Sequence, residues 1–326
     1  MERKLFMEKP CIHYNQIDAN VLSVISRESN AEQWIYNNFI QIAVLPNGHW
    51  GAFMFGNDTL QDCPFLKNRH HERSDIQINI IEFLKQEIMN SRYIWLNVRK
   101  KYLSVYKEKS EKNHDIFVYG FNDEQQIFYV ADFFEKGVYS QQKVSYSEFF
   151  EGYNNVIEKS DTLGIYTIWL NKEYRYDVES CNTIKCGILD YLSEEYPFNK
   201  YIYMQEKRLR TYKYGTKIYD VLEKYCDNIL NKIDRGKNFR VFDLLYQHKK
   251  LMTNRIYFLT ENSINLKEYL PLCRDIEENA FAIRNSFLKF TLTGDINILL
   301  KMKANLNKIK EMEKEVLMDI VSTIGI

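Results

Sequence analysis

Hydrophobic periodicity changes once along this chain, near residues 170 to 180, and that change limits the fold more than any single motif. Before it, apolar residues come in short aromatic runs with the alternation of strands, interrupted by brief helical patterns. Beyond about Val178 they recur three and four apart, through Ser180–Ser193, Gly215–Ile233, Phe239–Leu259, Leu270–Phe290 and Asn297–Ile320. Arg235-Gly236-Lys237 and Thr293-Gly294-Asp295 break those runs. The expected organisation is an α+β domain over residues 1–175 followed by a helical domain over 176–326.

Within the first half, a helix follows Cys11, with Ile17, Val21, Val24 and Ile25 on one face, which places Cys11 near its N-terminal end. Trp34–Leu45 and Trp50–Phe55 read as strands or extended loops around the turn signal Pro46-Asn47-Gly48. Ser74 and Gln77 make a capping box ahead of Ile80, Ile81, Leu84 and Ile88, in a helix ending near Asn90-Ser91. Tyr93–Val98 and, more weakly, Tyr102–Tyr106 read as strands, and His114–Phe121 with Ile127–Phe133 as a hairpin. Ser145 with Glu148 caps a short helix, and Ile165–Leu170 is one more strand.

Composition narrows the function classes. The 326 residues carry 44 Lys plus Arg against 44 Asp plus Glu, so no global charge favours nucleic acid or an anionic membrane. With 45% apolar residues, 15% aromatics and only 5 Pro, a large aromatic core is expected rather than disorder. No apolar run has the length of a signal peptide core or a bilayer span, so a cytoplasmic protein is expected, with neither membrane nor nucleic acid as partner.

The six cysteines are irregularly spaced, which suits thiols rather than a disulfide framework. Gly48, Gly51 and Gly56 do not have the spacing of a phosphate-binding loop. Cys11 with His13, and Cys63 with His70 and His71, lack a second ligand pair at zinc spacing, so no metal or other cofactor is expected. The stretch Cys63–Arg73 reads as a solvated loop, and Gln247-His248-Lys249-Lys250 as the polar face of a helix. Near the C-terminus, Lys301, Lys303, Lys308, Lys310 and Lys314 interleave with Glu311, Glu313 and Glu315 as a solvated face, with Leu306, Ile309, Leu317 and Ile320 turned inward.

The hairpin yields a geometric argument. If Asn122–Gln126 is a five-residue loop, Phe121 faces Ile127 and Ile116 faces Asp132, so His114 is a diagonal neighbour of Asp132 on one face, about 7 to 8 Å away at Cα. An even-numbered loop or a bulge would separate them. An imidazole held by a carboxylate is a general base in search of a nucleophile, and Cys11, ahead of a helix, is the best candidate. Read singly, His114 and Asp132 are strand-edge residues and Cys11 a buried thiol.

Cys11, the block His114-Asp115-Ile116-Phe117-Val118-Tyr119-Gly120-Phe121 and the following Ile127-Phe128-Tyr129-Val130-Ala131-Asp132 together resemble the papain-like cysteine enzymes. The spacing is similar to that of bacterial peptidase domains that trim double-glycine leaders. The closer resemblance is to the N-terminal domain of butirosin biosynthesis protein H and related papain-like proteins of nonribosomal peptide clusters, to which Trp34–Gln41, Gln247–Lys250 and Arg255 add.

That resemblance implies a papain-like fold and an acyltransferase, with Cys11 as nucleophile, His114 as base and acid and Asp132 as its orienter. The reaction would carry an acyl or aminoacyl group from the pantetheine arm of an acyl or peptidyl carrier protein to a small amine, in natural-product biosynthesis. Leader peptidases have a Gln about six residues before the Cys, where this chain has Leu5, so the oxyanion donor is unassigned. A cysteine peptidase or amidase, and a non-catalytic papain-like scaffold, are the rival expectations.

Overall fold

The structure, a computed structural model, describes residues 1–53, 59–107, 110–135, 138–157, 164–195, 211–235, 238–262 and 264–324. In chain order its elements begin β1 (Glu2–Lys4), α1 (Gln16–Ile25), α2 (Ala31–Asn38), β2 (Ile42–Val44), β3 (Gly51–Phe53), α3 (Thr59–Asp62), β4 (Leu66–His71), α4 (Ile80–Met89) and β5 (Tyr93–Arg99). Next come β6 (Asn113–Asn122), β7 (Ile127–Glu135), β8 (Val138–Ser145), α5 (Tyr146–Asn154) and β9 (Ile165–Leu170). The C-terminal part holds α6 (Ser180–Ser193), β10 (Lys213–Tyr214), α7 (Ile218–Leu230), α8 (Arg240–Glu261), α9 (Leu270–Thr293) and α10 (Ile296–Ile324). The protein is thus mixed α and β, with antiparallel sheets and a helical C-terminal region. Among the described residues no helix is long and apolar enough to cross a membrane. Contacts gather the chain into a sheet unit, residues 1–28 with 59–175, and a helical unit, residues 29–58 with 176–326.

The sheet unit is built on strands in the order β4-β9-β5-β6-β7-β8, with β1 pairing the far end of β6. Alternation sends Leu96, Val98, Ile116, Val118, Val130 and Val144 to one face, where they pack with Ile80, Leu84 and Ile88 of α4 and Phe149 of α5. Each such side chain contributes about 1.5 to 3 kcal/mol by leaving water. The opposite face is aromatic, with Tyr93 stacked on Phe117 at 5.6 Å. There α1 rests: the Tyr139 hydroxyl donates to Asn20 Oδ1 at 2.6 Å, and Gln16 Nε2 donates to the Asp115 carbonyl at 2.8 Å. Gly120 lets β1 approach, since a Cβ there would lie 2.8 Å from the Arg3 carbonyl oxygen.

Several local expectations are corrected here. The cap of α4 is Asn79, whose side chain accepts from the Ile81 N–H, while the stretch around Ser74 is a short 3-10 turn closed by Glu72 and Asp75. Tyr102–Tyr106 is not a strand, because its last residue turns inward to meet a buried carboxylate. Cys63 is buried and Leu66–His71 is a strand, paired to β9 along its whole length, rather than a solvated loop. The polar edge strand β8, with Gln141, Gln142 and Lys143, shows no apolar alternation of the kind that announces a strand.

In the helical unit, Trp34–Asn38 is helical instead of extended. The carbonyls at the end of α2, which a helix leaves unmet, are received by distant side chains on α8. Arg255 donates from Nε to the Tyr36 carbonyl and from Nη2 to that of Phe39, both at 2.7 Å, and His248 Nε2 donates to the Ile40 carbonyl at 2.8 Å. Residues 54 and 55 of the expected Trp50–Phe55 stretch, and Gly236-Lys237 of the expected break, lie outside the described residues. Gly294 closes α9 in the left-handed conformation, with φ +68°. Leu306, Ile309, Leu317 and Ile320 are buried along α10, as their spacing predicts.

Two polar readings fail in this unit. Gln247, His248 and Lys249 are buried, not on a polar face, and Glu313 is buried rather than on a solvated one. The reason is that they satisfy one another: Lys249 Nζ lies 2.7 Å from both carboxylate oxygens of Glu313, 2.7 Å from the Tyr191 hydroxyl and 3.1 Å from His248 Nδ1. The Tyr219 hydroxyl donates to Glu313 Oε2 at 2.7 Å.

Candidate active site

The site is assembled by two departures from ideal pairing that cancel. The loop between β6 and β7 has four residues, Asp123–Gln126, since Asn122 pairs with Ile127. Alone, that would put His114 and Asp132 on opposite faces. A bulge between Val118 and Gly120 adds one residue to β6 and restores the register, so that Phe117 pairs with Ala131. His114 and Asp132 therefore share the face that carries Val118 and Val130.

Their side chains meet. His114 Nε2 lies 2.8 Å from Asp132 Oδ2, in an ion-pair contact without hydrogen-bond alignment. Asp132 is fully buried, whereas the His114 side chain is 35% exposed. Because Nε2 is the nitrogen turned to the carboxylate, Nδ1 is the one left for proton transfer. Tyr106 completes the cluster: its hydroxyl donates to Asp132 Oδ2, and its ring stands edge-on to the imidazole at 5.6 Å. Burial, reinforced by the Asp132 charge, holds this phenol well above its ordinary range, so it stays a donor. Sequence reasoning missed Tyr106, and no local pattern marks it.

Cys11 is exposed and belongs to the segment leading into α1. It stands apart from the helix head. The N-cap is Asn15, whose Oδ1 accepts from the Asp18 N–H at 2.8 Å, and the helix dipole acts only within the first turn. The helix is moored to β6 by the bond from Gln16 to the carbonyl of Asp115, the residue after His114 in the chain. Asp115 itself points to the α1 face, takes a hydrogen bond from Asn97 Nδ2 at 2.6 Å, and has its carboxyl raised by burial.

The other cysteines divide by environment. Burial pushes the thiols of Cys63, Cys226 and Cys273 up to about 12, which makes them inert near neutrality. Cys186 is exposed and Cys181 half-buried on α6. His71 meets Thr167 Oγ1 at 3.1 Å, and His70 Nδ1 lies 3.8 Å from Glu72. Among the described residues no group of three or more His, Cys, Asp or Glu is placed to hold a metal ion. No protein-family model matches the chain, and no curated protein matches it.

Proposed function

We propose that the sheet unit is a papain-like cysteine acyltransferase that moves an acyl or aminoacyl group from a carrier-protein thioester to an amine in natural-product assembly. The observation that carries this reading is the partly exposed imidazole of His114 against the buried carboxylate of Asp132. A base so held turns one nitrogen to the carboxylate and leaves the other for proton transfer. In the proposed reaction, His114 takes the thiol proton of Cys11, and the sulfur attacks the thioester carbonyl. The pantetheine thiol leaves with that proton, and Cys11 holds the acyl group as a new thioester. The amine then attacks, His114 takes its proton and returns it to the departing Cys11 sulfur, and an amide is released. Asp132 stabilises the imidazolium formed in each half-reaction.

The test is intact-mass measurement after mixing the protein with acyl groups carried on pantetheine or on a carrier protein. An adduct on wild type that vanishes in both Cys11→Ser and Cys11→Ala, and is discharged by amines faster than by water, is the expected result. Faster discharge by water would move the reading to a peptidase or amidase. A second reading, the non-catalytic scaffold, draws on the place of α1, which packs on the face opposite His114, with Cys11 four residues ahead of its cap. It forecasts no adduct with any thioester.

A further inference from the structure

We infer that Tyr106 is a positioning residue of this site: its hydroxyl selects the oxygen of Asp132 that meets the His114 ring, and so decides which ring nitrogen carries the proton. The inference rests on reading His114 as the base and goes beyond it by assigning a third member and a tautomer.

A fully buried carboxylate needs hydrogen-bond donors, and it offers about four acceptor positions on two equivalent oxygens. Here the two oxygens are not treated alike. Oδ2 faces both the Tyr106 hydroxyl and His114 Nε2, while Oδ1 has no hydrogen-bond partner among the described residues. Rotation about the last bond of an aspartate is broad and roughly two-fold, so packing alone would let the oxygens exchange. A donor fixed on one side removes that symmetry.

Tyr106 is well suited to be fixed. It is buried, its ring lies 5.1 Å from that of Phe134, and the Lys100 ammonium sits 4.6 Å over it. It cannot follow the carboxylate, so the carboxylate must follow it. The other charged group nearby, Asp115, lies on the opposite face and is engaged by Asn97. With Oδ2 held in place, the neutral imidazole keeps its proton on Nε2 and exposes Nδ1 as the base.

Ring-nitrogen NMR on the full chain, with His114→Gln used to assign the signal, reads this directly. The wild type is expected to show His114 as a nearly pure Nε2–H tautomer. In Tyr106→Phe the Nδ1–H population should rise on the order of tenfold, the equivalent of one hydrogen bond to a charged group. A Tyr106→Phe protein that keeps the pure Nε2–H tautomer would overturn the inference, because a residue that only fills space would leave the tautomer alone. Should Tyr106→Phe not fold, the wild type still decides: the Tyr106 hydroxyl proton must be protected from exchange and close to the His114 ring, and exchange at the rate of an exposed tyrosine sinks the idea. None of these readouts involves Cys11 or a thioester, so failure here and failure of acyl transfer are separate results.

Discussion

Each unit of this protein brings a basic side chain to hydrogen-bond distance of a carboxylate, and the two pairs differ in one respect. His114 and Asp132 are 2.8 Å apart with one partner buried and the other a third exposed. Lys249 and Glu313 are 2.7 Å apart with both sealed from solvent. In the sealed pair the lysine also meets Tyr191 and His248, and the carboxylate receives two tyrosine hydroxyls. In the open pair Asp132 Oδ1 lacks a hydrogen-bond partner among the described residues, and the His114 side chain is partly exposed. A saturated cluster can only hold structure, while a half-finished one has capacity left for a proton or a substrate.

The most damaging way to break this contrast is to unpair the sealed cluster. Glu313→Gln leaves a buried ammonium without its counter-charge, and the expected loss is about 3 to 5 kcal/mol in urea unfolding. Replacing both partners, as in Lys249→Met with Glu313→Leu, should recover only part of it, because the uncompensated charge is gone but the buried hydroxyls of Tyr191 and Tyr219 lose their acceptor. A loss below about 1 kcal/mol for Glu313→Gln would mean that water reaches the pair and the two sites are alike.

Arg255→Met comes next. It strips two carbonyls at the end of α2 of their donors, for an expected cost of about 2 to 3 kcal/mol and early exchange of the α2 amides with solvent. This residue also explains where reading the sequence stops. Trp34–Asn38 looks extended locally, and what makes it a helix is a guanidinium 219 positions from Tyr36. Glu313 lies among lysines spaced like those of any solvated face, and its partner is 64 positions away. By contrast, His114 and Asp132 belong to one hairpin, where alternation and loop length alone fix the face. Even there the outcome depends on a bulge that restores the register a four-residue loop had shifted, and the one residue that marks it is Gly120, an isolated glycine inside a strand pattern.

A third prediction uses pH to sharpen the sealed side. His248 is held well below the ordinary value of 6.5 by burial, with the adjacent Lys249 charge adding to the effect. The unfolded chain therefore binds a proton below about pH 6.5 that the folded chain refuses. Its contribution is fully present above that value and is lost as the pH falls, at about 1.4 kcal/mol per unit at most. Urea midpoints from pH 7 down to 5 should fall more steeply for wild type than for His248→Gln, in which an amide donor can still reach the Ile40 carbonyl. Parallel curves would show that His248 is not the group responsible.

The smallest effect on stability should come from the open pair, and there chemistry and stability ought to separate. His114→Ala removes a side chain that is a third exposed, and water can take its place, while Asp132 keeps the hydroxyl of Tyr106. The expected cost is about 1 kcal/mol or less. Its effect on Cys11 should be larger. If His114 acts on that thiol, alkylation of Cys11 at neutral pH exceeds that of Cys186, which is also exposed, and His114→Ala slows Cys11 on the order of tenfold while leaving Cys186 unchanged. Cys63, Cys226 and Cys273, with thiols near 12, should label only on unfolding and so report that the fold is intact. Equal rates at Cys11 and Cys186 in both proteins would leave the His114–Asp132–Tyr106 cluster without a nucleophile and make its spare capacity structural after all.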